Sequence, residues 1–330
     1  MRRILLAVLI LGGTALVAGL VTAQQQAPNQ MTIELTIVAT GNNNAPVEDL
    51  KLEDITVKDN NKKQDIVSFD KIVAGAPVTP GKPGLYNVVL LDCLNTTYRD
   101  LPENRAEILR VLNELSKADN LTFLVVWQKI HVVVEPGMPP PTLMSKLASQ
   151  GLQGLAGDRP NLAPYSWVFS DELGLLQLFT PSGVTIRRRF EESLGALQMI
   201  ATDYLNHPGR KNLIWISHEY PLMEGQSVAG AAIYPIDARY LSTTDTESSN
   251  SSAMRDLAKE TGGLAFVSRR DVANCVREAL NDTRTTYRLK YAMPTFKYDG
   301  SSHATKVETG RKDIKLRYRG EYYAPTQAPQ

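Results

Sequence analysis

The chain has 330 residues, 43% hydrophobic and 22% charged, with a formal net charge of +1. That balance suits a globular protein able to bury a core. There is no long basic run and no aromatic-basic interleaving, which sets nucleic-acid binding aside.

Arg2 and Arg3 precede an apolar stretch from Ile4 to about Val21, and Val21-Thr22-Ala23 forms a small-residue cleavage site. Residues 1–23 therefore read as a secretory signal, so the expected location is periplasmic, cell-envelope or secreted. The stretch is long for a signal, so an uncleaved anchor is the alternative; the N-terminal segment would then be the chain's contact with a membrane. Residues 24–30 are Gln-rich and read as disordered. Residues 31–83 read as a β segment and linker. "MTIELTIVAT" alternates apolar and polar side chains, as a half-buried strand does. "DITVKDNNKKQDIVSF" is a hairpin pattern turning at "DNNKK", and the Pro- and Gly-rich run after Val73 is a linker.

Residues 84–283 change character. Short apolar runs, "YNVVLLD", "LTFLVVW", "KIHVVVE", "KNLIWIS", "AAIYPID" and "LAFVS", alternate with amphipathic stretches. Runs apolar on both sides suit parallel strands covered on both faces by helices. The expected fold is α/β: a doubly wound, mostly parallel six-stranded sheet with one hairpin at its edge. Asp100 with Glu103 forms a capping-box pattern ahead of Ile108, Val111, Leu112 and Leu115. Residues 186–205 carry an apolar stripe. Residues 253–261 read as a helix stopped by Gly262-Gly263, and Asp271 is placed to cap a helix running to about Asn281. Residues 137–182, rich in Pro, Gly and aromatics, show no clear period; they are either a recognition loop or packing over the sheet edge. Residues 284–325 alternate again, and 326–330 form a tail. Neither terminal β segment has enough strands to stand alone, so the two are expected to pack together as a small β domain.

Cys93 and Cys275 read as two buried thiols or, in an exported chain, a disulfide. Arg210 and Lys211 read as a solvated pair at a helix end, with anion binding as the alternative. Arg187, Arg188 and Arg189 read as an exposed helix face, with a partner's acidic surface as the alternative. His131, His207 and His303 read as structural, and no histidine pair has helical metal spacing.

An open parallel sheet places ligands at the carboxyl ends of its strands, near the point where strand order reverses. Asp92 ends the first strand of this sheet, with Asn95 and Thr96 just after it. "VVLLDCLNTT", "HPGRKNLIWIS", "IYPIDAR", "LAKETGGLAFVS", "YRLKYAMP" and "LRYRGEYYA" together resemble von Willebrand factor type A domains. More closely, they resemble the VWFA-related proteins labelled acidobacterial, over nearly all the mature chain. The resemblance implies a non-enzymatic protein-binding or adhesion role at the carboxyl-end face. It also implies a Mg²⁺ site of the pattern Asp-x-Ser-x-Ser with a distant Thr and a distant Asp. Asp92 matches the first Asp, Thr96 the second Ser and Thr185 the distant Thr; Leu94 stands where a ligating Ser is expected. Ser217, His218 and Glu219 occupy the region of the distant Asp, and Asn95 adds an amide beside the motif. The expected site is thus degenerate, holding Mg²⁺ or another divalent cation or none, since a hard cation wants many oxygen ligands. Without the metal, Asp92, Asn95 and Thr96 would shape the loop by satisfying backbone donors, and the chain would serve as an envelope scaffold. A remote third reading is a haloacid-dehalogenase-type phosphohydrolase with Asp92 as nucleophile. Leu94 stands where its acid/base Asp is needed.

Overall fold

The computed structural model describes residues 31–74, 84–92, 95, 107, 110–111, 113–115, 121–127, 129–134, 186–204, 209–217, 230–239, 251–293 and 296–327. Strand β1 (Met31–Thr40) runs antiparallel to β10 (Thr285–Met293), from Met31 opposite Met293 to Ile37 opposite Tyr287. With β12 (Lys315–Arg317) and β4 (Ile66–Val73) they make a sheet ordered β12-β1-β10-β4. A second sheet, β13-β11-β2-β3, joins β2 (Ile55–Asp59) and β3 (Lys62–Gln64) to β11 (Ser302–Thr309) and β13 (Glu321–Tyr323). Residues from both chain ends meet in a shared core, including Leu35, Ile37, Val57, Leu289 and Val307. The period-two alternation of each strand sends these side chains inward.

Two details differ from the sequence reading. The hairpin turns on Asn60 and Asn61 alone, both at positive φ (44° and 65°), and closes β2 on β3. Two left-handed residues match the twist of paired strands, and asparagine tolerates that region. The chain then leaves this sheet, and β4 pairs with β10 of the other. "DIKLRYRGEYYA" is two strands, because Tyr318 to Gly320 carry the chain from one sheet to the other.

The third sheet is ordered β7-β6-β5-β8-β9. It comprises β5 (Gly84–Asp92), β6 (Leu121–Trp127), β7 (Lys129–Val134), β8 (Gly209–Ser217) and β9 (Ala232–Asp237). β5 is central and parallel to both β6 and β8, β9 is parallel to β8, and β7 is the antiparallel edge strand. The expected sixth strand does not form: "LAFVS" makes one parallel bridge, Phe266 to Ile236. Ser268, at φ +58°, turns the chain away after two backbone hydrogen bonds at Phe266.

Helix α1 (Ile186–Met199), followed by a π-helical turn (Ile200–Tyr204), and α2 (Ser251–Thr261) lie on one face of this sheet. There Ala196, Leu197, Ile200 and Met254 pack on Val88, Leu90, Leu213 and Trp215. Helix α3 (Val272–Asp282) presents Val272, Cys275, Val276 and Ala279 to the interior. Its N-terminus is not capped by the Asp271 side chain. Glu107, from a helical stretch that also buries Val111 and Leu115, accepts the Ala273 N–H at 2.7 Å instead. A buried carboxylate at a helix N-terminus satisfies an orphan donor and the helix dipole together. Asp271 is drawn off to the Arg269 guanidinium, which holds its carboxyl down at about 2. Asp100, Glu103 and residues 137–182 lie outside the described residues.

Cys275 is a free buried thiol, and Cys93 lies outside the described residues. Burial pushes the Cys275 thiol up to about 12, so almost no thiolate forms near neutrality. Iodoacetamide at pH 8 should therefore alkylate Cys275 only after denaturant is added, as read by peptide mass spectrometry.

Candidate functional site at the carboxyl ends of the parallel strands

Strand order reverses beside β5: the chain goes from β5 to β6 and β7 on one side, then returns to β8 and β9 on the other. The carboxyl ends of β5 and β8 thus border the crevice where such sheets place ligands. Asp92 and Ser217 end these two strands and share the face that carries Leu90 and Trp215.

Asp92 is 1% exposed. One carboxylate oxygen, Oδ1, accepts the Asn95 backbone N–H at 2.9 Å. The other, Oδ2, accepts from Asn95 Nδ2 at 2.9 Å, Trp215 Nε1 at 3.1 Å and Ser217 Oγ at 3.0 Å. Asn95 Nδ2 also donates to Ser193 Oγ of α1 at 2.8 Å, tying the loop after β5 to the helix above it. Asp92, Asn95 and Ser217 are therefore brought together. Thr96, Thr185, His218 and Glu219 lie outside the described residues. Trp215 is the member the sequence reading missed. Its position two residues before Ser217 on an apolar strand looks like core packing, yet its indole N–H is also a donor that needs a buried acceptor.

Burial pushes the Asp92 carboxyl above its ordinary 3.8, and the four donors pull back without cancelling that push. A carboxyl raised on folding adds stability that is fully present below the unfolded pKa and is lost as pH rises through the folded value. Wild-type stability should thus fall relative to Asp92→Asn as pH increases from about 4. Urea melts of the two proteins at stepped pH check this; a flat difference would refute it. Asp92→Asn should itself cost about 1–3 kcal/mol at acid pH, because a protonated carboxyl keeps an acceptor lone pair on both oxygens whereas the amide nitrogen offers none to the donors around it.

A divalent cation requires acceptors turned toward it. Asp92 instead sits among N–H and O–H groups, two of which, Trp215 Nε1 and Asn95 Nδ2, have no lone pair to offer. No group of three His, Cys, Asp or Glu side chains converges among the described residues. The described residues do not fit Mg²⁺.

The neighbouring strand end is also closed. Asp237, at the end of β9, accepts the Arg239 N–H and Nε at 3.0 and 2.6 Å and the Ser268 N–H at 3.3 Å. Asp92 and Asp237 are each 1% exposed, whereas a carboxylate nucleophile needs an oxygen accessible to its substrate.

At the opposite, amino end of the sheet, Arg210 is not solvated: it is 4% exposed. Its guanidinium donates to Asn212 Oδ1 at 2.9 Å, the Tyr234 hydroxyl at 2.9 Å and the Gly262 carbonyl at 3.3 Å. Tyr234 passes a hydrogen bond to Asp282 at 2.9 Å, and Arg317 of β12 pairs with the other Asp282 oxygen. Burial pushes the Tyr234 phenol up to about 12, so it remains a donor near neutrality. His303 is structural. Asn60 Oδ1 accepts the Ala304 N–H, which turns Asn60 Nδ2 toward His303 Nδ1 at 3.0 Å. His303 Nε2 then carries the proton and donates to Asp299 at 3.2 Å.

No protein-family model and no curated protein matches the chain. One similar solved structure is an aerotolerance-related membrane protein from Bacteroides fragilis, 12% identical, at TM-score 0.34 over 60% of this chain and 99% of that one. Another is the manganese-loaded TRAP protein of Plasmodium vivax, 9% identical, at TM-score 0.32 over 77% and 97%. A third comes from Catenulispora acidiphila, 11% identical, at TM-score 0.33 over 79% and 73%. That third structure is a von Willebrand factor type A protein.

Proposed function

We propose that this chain is an extracytoplasmic, non-enzymatic protein-binding module that presents the carboxyl-end rim of its parallel sheet to a protein partner without using a metal. The observation that carries this reading is the state of Asp92. A catalytic or metal-binding carboxylate keeps lone pairs for its substrate or ion, whereas four protein donors converge on this one. The side chain therefore serves to set the shape of the rim, a role suited to recognition. The leader-like residues 1–23 support a location outside the cytoplasm.

Metal independence is tested by melting the mature chain with EDTA, Mg²⁺ or Mn²⁺. A cation at about a hundred times its Kd would add about 2.7 kcal/mol, several degrees in Tm. No shift is expected; a shift abolished by Asp92→Ala would restore the metal-dependent reading. Binding is tested by capture from envelope extract in EDTA, with a partner retained by wild type and lost by Asp92→Ala. Turnover of p-nitrophenyl phosphate that Asp92→Asn eliminates would instead make the chain a hydrolase.

A further inference from the structure

Strand β13 ends its sheet, so among the described residues one of its edges has no neighbouring strand. The hydrogen-bond parity shows which groups lie there. Gly320 O accepts from Thr305 N at 2.7 Å, and Ala324 N donates to Ser301 O at 2.9 Å. Gly320, Tyr322 and Ala324 therefore turn their backbone groups toward β11. Glu321 and Tyr323 turn their N–H and C=O groups outward, because these directions alternate along an antiparallel strand. A cavity of about 610 Å³ lies between this strand, with Ser302 of β11 beside it, and the C-terminal half of α2. Its lining includes Leu257, Lys259 and Glu260 of α2, with Arg319, Glu321 and Tyr323 across from them. The size lies within the roughly 300–1,000 Å³ of ligand clefts. Tyr323 is 64% exposed, a large apolar surface beside the outward backbone groups.

We propose that the cleft between α2 and β13 takes an extended segment of a partner protein, which adds as a strand to the free edge of β13. Outward N–H and C=O groups on a sheet edge complement an extended backbone, and a flanking wall supplies side-chain pockets. The lining carries both signs of charge: Lys259 and Arg319 against Asp256, Glu260 and Glu321. That mixture suits a peptide rather than a polyanion. Leu257 and Tyr323 call for an apolar residue in the incoming segment. A second copy of the chain fits less well, because an edge strand arrives with its own sheet attached and α2 stands in that sheet's path. The cleft lies near the amino end of the parallel sheet, where α2 stops against Ile233 of β9, away from the Asp92 rim. It is thus a surface separate from the one proposed above.

The probe is a phage-displayed library of linear peptides of about seven residues, long enough to span the strand. It is panned on the mature chain, and enriched sequences are then synthesised. The diagnostic variant is Tyr323→Pro, which removes one outward N–H and blocks the edge while leaving the ladder to β11 in place. Enriched peptides should bind wild type, bind Tyr323→Ala more weakly, and lose about tenfold or more of their affinity for Tyr323→Pro. In wild type they should slow hydrogen exchange at the Glu321 and Tyr323 amides, a readout that stands even if the proline variant folds poorly. The proposal is overturned if no peptide is enriched, if the proline variant binds equally well, or if protection appears elsewhere. Self-association of the chain that Tyr323→Pro abolishes would also overturn it, by assigning the edge to a second copy.

Discussion

Asp282→Ala should destabilise the protein by about 3–5 kcal/mol, because it leaves the half-buried Arg317 guanidinium without its anion and the buried Tyr234 hydroxyl without its acceptor. Asp282 is 6% exposed and accepts from the Tyr234 hydroxyl and the Arg317 guanidinium. Tyr234 in turn accepts from Arg210, itself 4% exposed. The network crosses from β8 and β9 through α3 to β12, so its loss loosens the seam between the parallel sheet and the sheets built from the chain ends. Against a total stability of about 5–15 kcal/mol, this is a large fraction. Urea melts should show the midpoint falling. Arg317→Met added to Asp282→Ala should recover part of the loss, since it removes the stranded charge. A double variant no more stable than the single would show that the cost lies in packing rather than in the unpaired cation.

Gly263→Ala should cost a similar amount, about 3–5 kcal/mol or roughly 10 °C in Tm. A Cβ at Gly263 would lie 1.9 Å from the Ile233 carbonyl oxygen and 2.6 Å from its carbon. Both are backbone atoms of a central packing contact, so the only relief is to move α2 off β9. Such a shift would also disturb the Gly263 carbonyl, which accepts Arg317 Nη1 at 3.2 Å. Gly262, at φ +78°, carries a separate requirement for a left-handed residue, and a Cβ there would meet Tyr318 at 2.8 Å. Circular dichroism melts rank the two: Gly263→Ala should be the more damaging. Equal stability of Gly263→Ala and wild type would show that the helix end can retreat from the strand.

These two glycines carry one local role and one non-local role. The sequence placed the end of α2 at Gly262-Gly263, and the structure has a Schellman arrangement there, with Gly263 N on Ala258 O at 2.8 Å and Gly262 N on Lys259 O at 3.4 Å. A helix stop is a local event encoded in a few residues. That the same glycines hold α2 close to β9 and offer carbonyls to Arg210 and Arg317 is non-local, and no spacing in the chain announces it. The expected cap at Asp271 failed for the same reason. Its local pattern was sound, but Glu107, 166 positions away in sequence, reaches the helix end first.

The candidate site divides in the same way. Asp92 at the end of a buried strand was legible, because an apolar run that stops on a carboxylate marks a strand's carboxyl end. That Asn95 and Ser217 join it follows from loop proximity and parallel register. Trp215 as a donor was not legible, since a tryptophan in an apolar run looks the same whether or not its N–H has a buried acceptor.

Hydrophobic periodicity by itself determined the strands of the parallel sheet, its antiparallel edge hairpin and the helix ends, because these depend on residues within one or two turns of each other. Tertiary structure alone decided that Phe266 forms a bridge rather than a sixth strand, that Arg210 is buried, and that Asp92 is surrounded by donors rather than by ligands for a cation. The physical reason is that burial and hydrogen-bond pairing are properties of neighbours in space. A charged side chain can be read as solvated or interior only once the groups that replace its water are known.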